Sequence, residues 1–159
     1  MLTQINGWLS AAHTALDADA DLADAVVHLG PLVTFDDVTG ADLVIVGHDD
    51  DDETGMAWEY SGEWHDTGGA AVHRGDALVY ITVVSQSGGT GLTMAQRMTA
   101  LGTLVADVRG VLLPTPAGSA LGVDGVMWAQ ETGIRQHLIP TAAGPIARAV
   151  LTFTVAVLA

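Results

Sequence analysis

The side chains able to do chemistry here are carboxylates and imidazoles. Asp17-x-Asp19-x-Asp21 opens like an EF-hand calcium loop, in which alternate carboxylates converge on a hard cation. The pattern then breaks. Leu22 stands at the sixth position, where glycine makes the turn, and His28 at the twelfth, where a bidentate glutamate closes the coordination sphere. His48 followed by Asp49, Asp50, Asp51, Asp52 and Glu53 offers a second set of oxygen ligands, but five adjacent acids repel one another and read as a solvated loop. His65-Asp66 has the form of a base and its orienting acid, without an identifiable nucleophile. The six histidines, His13, His28, His48, His65, His73 and His137, are scattered along the chain. No phosphate-binding loop, GxGxxG, GxSxG or HExxH occurs, and the absence of cysteine removes thiol nucleophiles and thiolate metal sites. The residues assign no catalytic, metal or cofactor site, and the chain reads as non-enzymatic.

Charge narrows the partners. Net charge is −14, with 19 acids against five arginines and no lysine. Residues 1–76 carry 16 of the acids and one arginine; residues 77–159 carry three acids and four arginines. Such a surface repels phosphate, so DNA is expected only as a passing polyanion, not as a gripped ligand. Apolar stretches are too short to span a bilayer and no basic-then-apolar leader opens the chain, which predicts a product made in the cytoplasm, with no membrane partner.

The elements that position these residues follow from periodicity. Ile5, Leu9, Ala12 and Leu16, widened by Trp8, predict a helix over 3–16. Short strands are expected at 26–29 and 42–47, the latter a β-branched run ending in Gly47. Trp58 and Tyr60 share a face by alternation in 56–65. In 77–85, Ala77, Val79, Ile81 and Val83 line one face, and Leu78, Tyr80, Thr82 and Val84 the other. A long helix over 93–113 carries Met94, Met98, Leu101, Val105, Val108 and Leu112 on one stripe, begins at a Thr93/Gln96 capping box and ends at Pro114. Gly102 within it predicts close packing. Strands at 126–138 and 146–158 close the chain. The expected fold is α+β: an antiparallel or mixed β-sheet with an N-terminal helix and one long helix packed on one face. It is expected as a single domain over 1–159, with an acidic loop at 48–55 and a Pro/Gly-rich loop at 114–125. The second sheet face is unusually apolar, so Leu78, Tyr80 and Val84, together with Trp58 and Tyr60, are candidate subunit-interface residues.

An ordered set of features over most of the chain resembles the tail terminator family of long, flexible-tailed phages, in the versions found in phages of high-GC actinobacteria. These are the N-terminal helix, Leu43-Val44-Ile45-Val46-Gly47-His48-Asp49-Asp50, and Asp76-Ala77-Leu78-Val79-Tyr80-Ile81-Thr82-Val83. Then come Ser87-Gly88-Gly89 leading into a helix with Ala95-Gln96-Arg97, and the Leu121–Ala129 turn. Gly144-Pro145-Ile146-Ala147-Arg148 runs last into Leu151-Thr152-Phe153-Thr154-Val155. Two turns depart from the family pattern: Asp76 stands where a glutamate is common, and Gly122-Val123 where Gly-Gly is common. The resemblance implies a homo-oligomer, a hexameric ring at the head-proximal end of the virion tail. Such a ring caps the tube of the major tail tube protein, stops its polymerisation and meets the head–tail connector or head-closure protein, with the genome passing through and no cofactor needed. Asp49, Asp50, Asp51, Asp52 and Glu53 are then a candidate lumen- or tube-facing loop. Rival readings are another neck component (a head-closure or adaptor protein), a small calcium- or carbohydrate-binding module, and a hydrolase built on His65.

Overall fold

The computed structural model describes residues 1–30, 40–49, 57–66, 71–88, 91–114 and 119–158, with backbone alone for 64–66 and 71–73. Helix α1 (Leu2–Asp17) is followed by a 3-10 turn (Ala20–Leu22), then β1 (Ala25–Leu29), β2 (Asp42–Val46), β3 (Trp58–Asp66) and β4 (Ala71–Ser85). Helix α2 (Met94–Leu112) and strands β5 (Val126–Thr141) and β6 (Gly144–Leu158) complete the chain. The expected elements are all present. The strands at 77–85 and 126–138 extend further, to 15 and 16 residues, because their hairpins with β3 and β6 run past the core.

The six strands form one mixed sheet in the order β1-β2-β4-β6-β5, with β3 pairing the first half of β4 on the side where β2 pairs its second half. β1 and β2 are parallel and the other pairs antiparallel. Register puts Val79 opposite Phe153, Ile81 opposite Leu151 and Val83 opposite Ala149, all fully buried. On this face lie both helices. α1 contributes Ile5, Trp8, Leu9, Ala12 and Leu16 to the core, as its spacing requires. The Trp8 ring meets Phe153 at 5.7 Å, and its Nε1 donates to the Ser119 carbonyl at 3.3 Å, so the indole is buried with its polar handle satisfied.

α2 opens on the expected capping box: the Thr93 hydroxyl accepts from Gln96 N, and the Gln96 side chain accepts from Thr93 N. Four of the six expected stripe residues, Leu101, Val105, Val108 and Leu112, are buried, and the difference lies in the first turns. Arg97, Leu101, Leu104, Val105, Val108 and Leu112 face inward, while Met94 and Met98 are half-buried. Near the start of the helix Arg97 takes the inward position and is fully buried. Its Nε donates to the Pro145 carbonyl at 2.9 Å, and its Nη1 to the Ser87 carbonyl at 2.6 Å and the Ser85 hydroxyl at 3.3 Å. Asp42 holds the same corner from β2, accepting from Gln86 N, Ser87 N and the Ser87 hydroxyl at 2.7, 2.8 and 3.0 Å. Gly102 is exposed, and a Cβ there would meet nothing within 4 Å, so close packing does not explain it.

Candidate assembly surfaces

The five candidate interface residues do not form one surface. Trp58 and Tyr60 stand opposite Val79 and Ala77, which places them on the helix-covered face, where they pack half-buried against the core. Leu78, Tyr80 and Val84 lie on the other face, as alternation requires. Here the expectation of an open apolar layer fails, because the chain covers much of it itself. Tyr80 and Val84 are each 7% exposed and only Leu78 remains half-buried.

Two devices close that second face. At one end, Val84 packs with Leu43, Ile45 and Ile146 in a small apolar cluster. In the middle, the chain leaves β2 through Gly47, whose φ of +77° sets up a turn that side-chain-bearing residues rarely adopt. Gly47 N and His48 N both donate to the Tyr80 carbonyl, at 2.8 and 3.1 Å. The buried Thr82 hydroxyl donates to the His48 carbonyl at 2.8 Å. Asp49 then accepts from Arg135 Nη2 at 2.6 Å, tying the segment to β5. Val150, which stands between Thr82 and Arg135 in the register, is fully buried. Tyr80 completes the network by donating its hydroxyl to Glu59 at 3.2 Å. Burial raises the Tyr80 pKa, and Glu59 and Asp49 push it further.

This corrects the reading of the acidic loop. Asp49 is 8% exposed and ion-paired across the sheet, so it is a fastening point and not part of a solvated run. Sequence reasoning missed it because its partner lies 86 residues away. Asp50, Asp51, Asp52 and Glu53 lie outside the described residues.

The first acidic cluster is used for chain geometry. Asp19 caps the 3-10 turn by accepting from Asp21 N at 3.0 Å, and Leu22, at the failed glycine position, is in the core. Asp107 of α2 comes close enough that Asp21 and Asp19, after burial, raise its pKa. Among the described residues no group of three histidines or acids is arranged to hold a metal. His28 contacts the Gly30 carbonyl at 3.1 Å, and the side chains of His65, Asp66, His73 and Trp64 lie outside the described residues. Trp128 borders a polar depression of about 290 Å³ with Glu63, Arg74 and Asp76, the place a carbohydrate-binding reading would require. An apolar cleft of about 200 Å³ lies between α1 and the ends of β1 and β2, lined by Leu9, Leu29, Val46 and Ala57. No helix among the described residues is long and apolar enough to cross a membrane.

The sheet borders were not singled out by the sequence. β5 forms one of them. Arg109 of α2 grips Glu131 through two hydrogen bonds of 2.6 and 2.5 Å, so the helix is anchored near the start of this strand. Further along, Ile134 and Leu138 face the helix side but are 40% and 44% exposed.

No family model and no curated protein matches the sequence. Among solved structures, the fold is shared with a chain of the virion of a native gene transfer agent (GTA) particle: TM-score 0.53, 18% identity, with 98% of each chain covered. At that identity the likeness is one of fold.

Proposed function

We propose that this chain is a virion structural subunit, and within that class a tail terminator. Copies form a ring that caps the tail tube, halts its growth and joins it to the head connector. The observation that carries the reading is the shared fold, covering 98% of both chains, with a subunit of a phage-like virion particle. Two further features support it. The ordered sequence elements that resemble tail terminators fall, in the same order, on α1, β2 and the turn after it, the second half of β4, α2, the turn into β5, and β6. The strong negative charge of the chain suits a wall past which DNA must slide. The reading assigns no reaction, cofactor or metal to the protein.

A head-closure or adaptor protein is the nearest rival, since it would share size, acidity and neighbours. Removal of the gene from the phage separates them. A terminator's loss gives tubes of uncontrolled length by electron microscopy, with heads complete and separate. Loss of a head-closure protein leaves tails of normal length and heads that leak DNA. Tails of normal length in the deletion strain would refute the terminator reading.

A further inference from the structure

The second sheet face carries unassigned chemistry at the end away from the Val84 cluster. The His48–Asp49 segment is bonded to Tyr80, Thr82 and Arg135 and does not reach it. Strand register assembles the place. Trp128 of β5 stands opposite Ala156 of β6, Ala156 opposite Asp76 of β4, and Asp76 opposite Ser61 of β3. Leu158, Arg74 and Glu63 form the next row. By alternation all of these side chains point away from the helices. Between the Trp128 ring and the Asp76 carboxylate stands only the small, fully buried Ala156 side chain. The depression of about 290 Å³ lies here, lined by Ser61, Glu63, Arg74, Asp76 and Trp128. Gly62 and Gly75 also line it and stand opposite each other. A Cβ on Gly75 would lie 2.6 Å from the Gly62 Cα, so the two strands meet backbone to backbone and the spacing of the charged groups on them is fixed.

The polar groups of the depression are uncommitted. Ser61, Glu63, Arg74 and Asp76 are exposed, and none of these side chains makes a hydrogen bond or ion pair among the described residues, although Glu63 and Arg74 are direct cross-strand neighbours. Arg97, Arg109 and Arg135, by contrast, are each held on oxygens of the fold. Trp128 is half-buried, and its indole N–H has no acceptor among the described residues, whereas that of Trp8 has one. One aromatic ring is thus flanked by donors on Arg74, acceptors on Glu63 and Asp76, and the Ser61 hydroxyl, which is both. A cationic guest would be repelled by Arg74, and an anionic one by Glu63 and Asp76. A neutral sugar ring suits the whole set. One face of a pyranose is a layer of C–H bonds that packs on an indole, and its rim of hydroxyls both donates and accepts. We propose that this depression is a binding site for a neutral pyranose, with Trp128 as the stacking platform and Glu63, Arg74 and Asp76 as the partners of its hydroxyls. The site goes beyond the virion role and does not depend on it.

The chain has 4 tryptophans, so its indole N–H signals are few enough to follow singly by proton–nitrogen correlation NMR, with Trp128 assigned through Trp128→Phe. Trp8, buried on the Ser119 carbonyl, is the internal reference. The full chain is titrated separately with glucose, galactose, mannose and N-acetylglucosamine to roughly 50 mM, because ligands this small bind in the millimolar range. At least one of the sugars is expected to move the Trp128 signal saturably, to leave Trp8 in place, and to bind equally well in high salt. Arg74→Ala and Asp76→Asn, both at exposed positions, are each expected to weaken that sugar about tenfold, with the circular dichroism of the folded chain retained. No saturable movement of Trp128 with any of the sugars overturns the proposal. Unchanged affinity in both variants overturns it as well. So does a Trp128 shift produced by arginine methyl ester and not by the sugars, which would make the depression a seat for a basic segment of a protein partner. None of these results bears on the tail lengths of the deletion strain, so the site and the terminator role stand or fall separately.

Discussion

The two faces of the sheet are closed by different physics. The helix face is sealed by apolar side chains from α1 and α2 over Val79, Ile81, Phe153 and Leu151, contacts that are non-directional and sum over area. The other face is closed in its middle by a short strap, His48–Asp49, held through backbone bonds to Tyr80, a hydroxyl bond from Thr82 and the Asp49–Arg135 pair. Such bonds depend on geometry, and each is worth about 1 kcal/mol net. The first kind of closure supports the fold. The second determines which parts of the second face stay covered, and the substitutions below separate the two.

The largest effect is expected at Val105, 3% exposed on the inward face of α2. Val105→Asp buries an unpaired carboxylate, destabilises by about 3–5 kcal/mol and abolishes the cooperative urea transition. On the strap, Asp49→Ala removes the partner of an Arg135 that is partly exposed, so the loss is about 1 kcal/mol or less. Its distinguishing sign is local: amide exchange at His48 accelerates while exchange in α2 does not change. A global loss as large as that of Val105→Asp would show the strap to be part of the core. Gly102→Ala, on the exposed side of α2 with open space around the new methyl, is expected to stabilise by about 1 kcal/mol in denaturant titration.

The smallest effect concerns Asp107, whose pKa is raised by burial and by Asp21 and Asp19. The folded state binds the proton more tightly than the unfolded one. The favourable contribution is therefore full below the unfolded pKa, roughly 4, and is lost as pH rises through the folded value. Asp107→Asn is expected to melt at a higher temperature than the parent near pH 7, and the gap should close as the pH falls below about 4. A gap that widens on acidification contradicts the assigned direction.

Local pattern located the helices and strands of the described residues because helical and strand periods are written into short stretches: Ile5, Leu9, Ala12 and Leu16 for α1, and the alternating residues of 77–85 for β4. It also placed Trp58 and Tyr60 on one face correctly, but grouped them with Leu78 and Tyr80, since period-2 reasoning cannot say which face of one strand continues into the next until register is known. Arg97 was legible in principle. It sits at i, i+4 and i+8 with Leu101 and Val105, inside the apolar stripe, but its type argued for solvent.

What the sequence determines by itself is therefore the element order, the α+β class, the core stripes and the acid-rich first half, all of which depend on neighbours within about one helical turn or one strand. Only the tertiary structure decides that Asp49 meets Arg135, that Arg97 is buried on carbonyls of two distant segments, that Tyr80 is covered and that Ile134 and Leu138 are not. Those outcomes depend on strand register and on where a helix ends over the sheet, distances set by the packing of the whole chain and encoded in no single segment.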